Sequence, residues 1–304
     1  MPEHAGMKKA PLAGTGMALA AAALWGTTGT AQSFMPAQTS PYWVGALRLV
    51  IAIAFFAVAD GWTRRGHPTA RPLSLTLWRW ILLAGVCVAA YNLAFFAGIK
   101  ATGIAVGTAI AIGSGPVWAG LLQSLVSRKP LEPAWWLGTL LAVAGGGLMV
   151  LGSGKGLRID PTGLALCLAA GLSYSSYTLI SQGMVSRASP TAVTLRVFAI
   201  AAAIAVPAAY AVSGDFSSTP RGWAVVGYLG LVATGIAYLL FSHALRHISG
   251  ATGVTLALAE PVTAFALAIL VVGERPSVAA FVGLALVLSG LVLVVWTEAK
   301  TRRR

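Results

Sequence analysis

The sequence predicts an all-α polytopic membrane protein of ten transmembrane helices, built as two inverted five-helix repeats. Three observations carry that prediction. First, 57% of the 304 residues are hydrophobic and only 10% are charged, with a mean hydropathy of +0.81. A soluble chain is about a quarter charged, so this composition cannot clothe a water-soluble globule. Second, the chain divides into ten apolar runs, each near the roughly 20 residues needed to cross a bilayer. Third, its second half matches its first.

The runs lie at roughly 13–35, 41–59, 77–99, 103–126, 134–152, 161–183, 190–212, 221–245, 250–272 and 277–297. Turn residues or charges break them, as in PAQTSP, SRKPLEP, SRASP and GERPS. Little chain is left for a soluble domain, so function is expected within the bundle.

The net charge of +13 is explained by placement. With a cytosolic N-terminus, fourteen of the 21 basic residues fall in cytosolic segments: Lys8, Lys9, Arg64, Arg65, Arg71, Arg79, Arg128, Lys129, Arg187, Arg246, Lys300, Arg302, Arg303 and Arg304. Five fall outside: Lys100, Lys155, Arg158, Arg221 and Arg275. The positive-inside rule therefore puts both termini in the cytosol. Lys8 and Lys9 before an Ala-rich run also fit a signal peptide, but the run outlasts a typical signal core. The basic face suits anionic lipid headgroups, and nucleic acid is not an expected partner.

An offset of 145 lays PVWAGLLQSLVSRKPLEPAWWLGTLLAVAGGGLMV on PVTAFALAILVVGERPSVAAFVGLALVLSGLVLVV without a gap, about a third of positions being identical. Pro116 meets Pro261, Gly138 meets Gly283 and Gly145 meets Gly290. Near the start of each half, Arg48 in LRLVIA meets Arg196 in LRVFAI. The expected repeats are 1–153 and 154–304. Five spans per repeat is an odd number, so the second enters from the opposite side. Inverted repeats of this kind build many secondary transporters.

The stretch LALAEPVTAFALAILVVGERPSVAAFVGLALVLSGLVLVV, with LWGTTG in the first span and LRLVIA in the second, resembles the EamA-type members of the drug/metabolite transporter superfamily. The resemblance runs from about residue 13 to 297, and the aromatic amino acid exporters (YddG-like) are similar in a less specific way. It implies ten helices, cytosolic termini and export or exchange of small organic solutes, and the expected location is a bacterial inner membrane. The first half departs from the pattern, with Gly115 where the second has Glu260 and Arg128–Lys129 where Gly-Glu is expected.

Polar residues within spans are costly and usually face a cavity or a partner. Trp25, Thr28 and Gln32 share one helical stripe, and Tyr91 and Asn92 sit mid-span. Ser114 and Trp118 flank Pro116, which frees a carbonyl. Tyr174 and Tyr177 are three apart, and Tyr238 lies in the eighth span. These ten are the candidate substrate-binding residues, against the plainer reading of small-residue packing. Glu260 is the acid placed deepest in a span, roughly ten residues in, or about 15 Å. It is expected either to carry a coupling proton or to pair structurally with Arg196. Arg48 has no mirrored acid and suits a substrate carboxylate or a helix C-terminus. His243, a turn from Arg246, reads chiefly as an interfacial histidine, with proton coupling the alternative.

Cys87 and Cys167 stand alone and read as packing residues. There is no Walker A sequence, HExxH or Ser/His/Asp set, so no cofactor, metal or enzymatic role is expected. The expected function is a secondary exporter of small neutral metabolites, amino acids including Phe, Tyr, Trp and Met first, by alternating access in a monomer. The alternatives are an exporter of drugs or sugar-type metabolites, and a passive channel.

Overall fold

The computed structural model describes residues 3–36, 38–66, 74–102, 104–128, 130–151, 160–273 and 276–301. Arg71, Lys129, Lys155, Arg158, Arg275 and Arg302 to Arg304 lie outside them, as does the expected boundary between the repeats at 153.

Each apolar run corresponds to one helical stretch of an all-helical bundle. The first run forms α1 (Glu3–Gly26) and α2 (Thr28–Gln32). Runs two to seven form α3 (Pro41–Gly66), α4 (Leu75–Thr102), α5 (Ile104–Ser127), α6 (Pro133–Leu151), α7 (Pro161–Val185) and α8 (Pro190–Ser213). The eighth forms α9 (Pro220–Gly230), a π-helical turn at Leu231–Ile236 and α10 (Ala237–Ala244). The ninth forms α11 (Gly250–Leu256), a 3₁₀ turn at Ala257–Ala259, α12 (Glu260–Leu267) and a π turn at Ala268–Val272. The tenth is α13 (Val278–Thr301). Runs two, three, four and six to ten are long and apolar enough to cross a membrane, and Pro133–Met149 is a shorter apolar helix.

The helix starts follow from sequence. α3, α6, α7, α8 and α9 all open on proline, whose missing N–H costs nothing in the first turn. Asp160, Thr219 and Ser249 then cap their helices by accepting from the amides of Gly163, Gly222 and Thr252.

Packing is inside-out relative to a soluble protein. Large apolar side chains such as Leu125, Val126, Leu75, Val292 and Trp62 are exposed, as lipid contact requires. Small residues line the helix contacts instead. Ala142, Ala201, Ala209, Ala237 and Ala244 are fully buried. At the α6–α13 contact the two helices meet on glycines. A Cβ at Gly145 would lie 2.5 Å from the Gly283 carbonyl oxygen, and one at Gly283 would lie 2.6 Å from the Gly145 carbonyl. Gly138 and Gly290 form the second such pair, where a Cβ at Gly138 would lie 2.8 Å from the Gly290 carbonyl.

These contacts carry the symmetry of the repeat. The exchange that sends Gly138 to Gly283 and Gly145 to Gly290 turns one glycine pair into the other. The other helix contacts follow the same rule: α3 packs on α8, α4 packs on α7 as α1 packs on α10, and α5 packs on α7 as α1 packs on α12. The two halves are inverted copies that interleave.

Two spans expected to be continuous are broken. α1 ends at Gly26, where a Cβ would lie 2.5 Å from the Glu260 carbonyl oxygen and 2.6 Å from Thr263 Cβ. Thr27 then leaves the helix, its hydroxyl donating to the Leu24 carbonyl at 2.7 Å and meeting the Tyr228 hydroxyl at 2.8 Å. The ninth span breaks at the Ala257–Ala259 turn just before Glu260. The two breaks therefore touch each other. By contrast α5 runs straight through Pro116, and the neighbouring Gly115 carbonyl accepts from Ser175 Oγ at 2.7 Å.

Candidate substrate site

The broken helices adjoin a central cavity of about 470 Å³. That is within the range of small-molecule sites, roughly 300–1,000 Å³. Breaks near mid-membrane expose backbone polar groups, and transporters place their ligand sites beside them.

The wall is assembled from several elements. α1 and α2 contribute Trp25, Gly26, Thr28, Gly29 and Gln32. α3 contributes Arg48, and α4 contributes Tyr91, Phe95, Phe96 and Ile99. Tyr174 comes from α7, Tyr238 from α10, and Glu260, Pro261, Ala264 and Phe265 from α12. Six of the ten predicted contact residues, Trp25, Thr28, Gln32, Tyr91, Tyr174 and Tyr238, are thus brought together with two charges, Arg48 and Glu260. The lining stretches of α2, α4, α6 and α12 all lie in the half of the bundle remote from the N-terminus.

Aromatic rings form one connected wall. Trp25 meets Tyr238 edge-on at 5.1 Å and Tyr174 at 6.4 Å between centroids. Tyr91 meets Tyr174 at 5.6 Å and stacks on Phe95 at 5.7 Å. The Tyr174 hydroxyl is buried without a hydrogen-bond partner.

The remaining candidates stand elsewhere, each for a visible reason. Asn92 is buried behind the wall: its Nδ2 donates to the Val88 carbonyl at 2.9 Å and its Oδ1 accepts from Arg48 Nη2 at 3.2 Å. Tyr177 is buried behind Tyr174 and Tyr238. Ser114 turns toward α7, donating to the Ala111 carbonyl at 3.3 Å, with its Oγ pressed against Gly171. Trp118, one turn further along α5, is half-buried and outside the lining set. His243 Nδ1 donates to the Leu239 carbonyl one turn back at 2.8 Å.

The expected Arg196–Glu260 pair is not formed. Arg196 Nη1 donates to the Ala192 carbonyl of its own helix at 2.7 Å, and its guanidinium carbon lies 5.9 Å from the Trp78 ring centroid. It is outside the cavity lining, whereas Glu260 shares that lining with Arg48. The repeat placed Arg196 at matching depth, but a helix face turned the side chain away.

Sequence reasoning missed Thr108, Gly113, Gly146, Gly147 and Met149, which also line the cavity. The Gly145–Gly147 run held a signal. A Cβ at Gly145 collides with α13, while Gly146 and Gly147 have open space where theirs would be.

Opposite the cavity, the start of the ninth span is tied to three helices. Gln123 of α5 accepts from the Ala251 amide at 2.9 Å, and Gln182 of α7 accepts from the Gly250 amide at 2.9 Å. Glu298 of α13 accepts from the Ser249 amide at 2.9 Å and from the Thr252 hydroxyl at 2.5 Å. These bonds hold α5, α7 and α13 together around the start of α11.

The model of the EamA-like transporter family matches residues 12–151 and again 161–296. An uncharacterized transporter of Bacillus subtilis, YwfM, is 40% identical over 91% of both chains. The threonine/homoserine exporter RhtA of Escherichia coli K12 is 29% identical, covering 93% of this chain and 92% of its own. A solved crystal structure superposes with a TM-score of 0.81 at 21% identity, covering 95% of this chain and 98% of the other, which speaks to the fold alone. With both repeats matched and a relative at 40% identity spanning nearly the whole chain, the protein belongs to the EamA-like transporter family.

Proposed function

We propose that this chain is a secondary carrier that exports small neutral amino acids by alternating access. The observation that carries the reading is the central cavity, lined by aromatic rings, hydroxyl and amide groups and one charge of each sign. Such a wall suits a solute with an apolar or weakly polar side chain and a charged backbone. The name of the relative RhtA supports amino acids and widens the expected range beyond aromatic ones to threonine and homoserine. No ATP-binding motif is present in the sequence, so flux follows the solute gradient or a coupled ion.

The reading extends to a bacterial inner membrane with both termini cytosolic, on the distribution of basic residues. The cavity then faces outward, and the Gln123–Gln182–Glu298 ties form the closed cytosolic side.

Counterflow in proteoliposomes tests the proposal. Labelled threonine, homoserine, methionine and tryptophan are offered outside vesicles preloaded with unlabelled solute. Trans-stimulated uptake of at least one is the expected result. Uptake without trans-stimulation indicates a channel, and exchange confined to sugars or drugs overturns the amino acid assignment.

A further inference from the structure

We infer that Arg48 and Glu260 are the two poles of a zwitterion subsite. The Arg48 guanidinium takes the substrate carboxylate, the Glu260 carboxylate takes its ammonium, and the side chain lies on the Trp25–Tyr91–Tyr174–Tyr238 wall. The inference rests on the amino acid reading above and assigns the recognition chemistry within it.

Arg48 is held on one edge and unfilled on another. Asn92 commits its Nδ2 to the Val88 carbonyl, which turns Oδ1 toward Arg48 Nη2. Arg48 Nε is buried without any partner. A guanidinium has five donors in a rigid fork, and a buried donor left unmade is costly. A carboxylate docking on the fork satisfies that donor and the charge together.

Glu260 is the complementary half. It stands at the first position of α12, where the helix N-terminus favours an anion. Among the described residues no cationic nitrogen lies within 4.0 Å of its carboxylate, and Arg48 is the cation that lines the same cavity. The two charges thus share one cavity without touching. A guest with one charge leaves the opposite wall charge uncompensated in a low-dielectric space, whereas a zwitterion meets both. The aromatic rings that line the same cavity add cation–π attraction for the ammonium.

The two poles also explain why the site needs both repeats. Arg48 comes from the first and Glu260 from the second, and their repeat partners, Arg196 and Gly115, contribute no charge to the cavity.

The test is a binding matrix on the full-length chain purified in detergent, read by thermal shift and calorimetry. The ligands are L-threonine and L-tryptophan, their amides, which lack the carboxylate, and their deaminated acids, which lack the ammonium. For the wild-type chain each analogue is expected to bind about ten-fold more weakly than its parent. Arg48→Gln should lose discrimination against the amide and keep it against the deaminated acid. Glu260→Gln should do the reverse. Equal loss for all ligands, with the ratios unchanged, overturns the inference. Should a glutamine variant fail to fold, Arg48→Lys and Glu260→Asp keep the charges while shifting their positions. Wild-type binding of both analogues within about two-fold of the parent also overturns it, with no variant required. If amino acids exchange in counterflow but the ratios do not move, the subsite falls and the carrier reading stands. If no amino acid binds or exchanges, both fall.

Discussion

The two repeats are alike where they pack and unlike where they face the cavity. Gly138 and Gly145 in the first have counterparts in Gly283 and Gly290, and the four meet as two equivalent pairs across α6 and α13. The arginines that match between the repeats have no such equivalence. Arg48 reaches the cavity and is braced by Asn92, while Arg196 folds back on the Ala192 carbonyl. At the two Xaa-Pro positions the first repeat carries Gly115, packed against Val254 and Ser175, and the second carries Glu260, lining the cavity. Backbone contacts thus preserve the symmetry, and the charged groups break it. A site with strict symmetry would hold two arginines or two carboxylates. This one holds one of each.

The largest test breaks the shared part. Gly145→Val or Gly283→Val drives side-chain carbons into the backbone of the facing helix, at 2.5–2.6 Å even for the first carbon. Overpacking a closed contact costs about 1–3 kcal/mol, and more where backbone cannot yield. The expected outcome is loss of monodisperse protein on size exclusion or a strongly lowered melting temperature. Gly147→Val, with open space at the same helix depth, should leave folding intact and alter transport by narrowing the cavity.

The next test sharpens the unlike part. Arg48→Gln should reduce amino acid counterflow by about ten-fold, the loss of one charge-assisted contact. Arg196→Gln should leave the rate within about two-fold, because its guanidinium engages the Ala192 carbonyl and the Trp78 ring outside the cavity lining. Equal losses would show that the two arginines keep the symmetry that the cavity lining denies.

The smallest effect is local. Asp160→Ala removes the carboxylate that accepts from the Gly163 amide at 2.7 Å at the start of the second repeat. A lost N-cap costs about 1 kcal/mol. The melting temperature should fall slightly and counterflow should be unchanged. A change in transport would mean that the entry of α7 is coupled to the cavity.

Much of this molecule is legible in its amino-acid order. Ten apolar runs, prolines at helix starts and the offset of 145 define the helices and their inverted relation, because span length and proline chemistry are local properties. The aromatic and polar stripe Trp25–Thr28–Gln32 and the mid-span Tyr91, Tyr174 and Tyr238 also announce a cavity, because polar groups in lipid need a reason. Depth along a span is likewise readable, and it placed Glu260 roughly ten residues into the ninth span. Rotation about each helix axis is not readable in this way. It depends on which neighbour fills which groove, and that choice sent Arg196 to the periphery, Asn92 behind Arg48 and Ser114 against Gly171. The breaks at Thr27 and Ala257–Ala259 were hidden for the same reason. Neither is forced by a local sequence rule. They arise where Gly26 lets α1 close onto the Glu260 backbone, a contact between residues more than two hundred positions apart that only the tertiary structure decides.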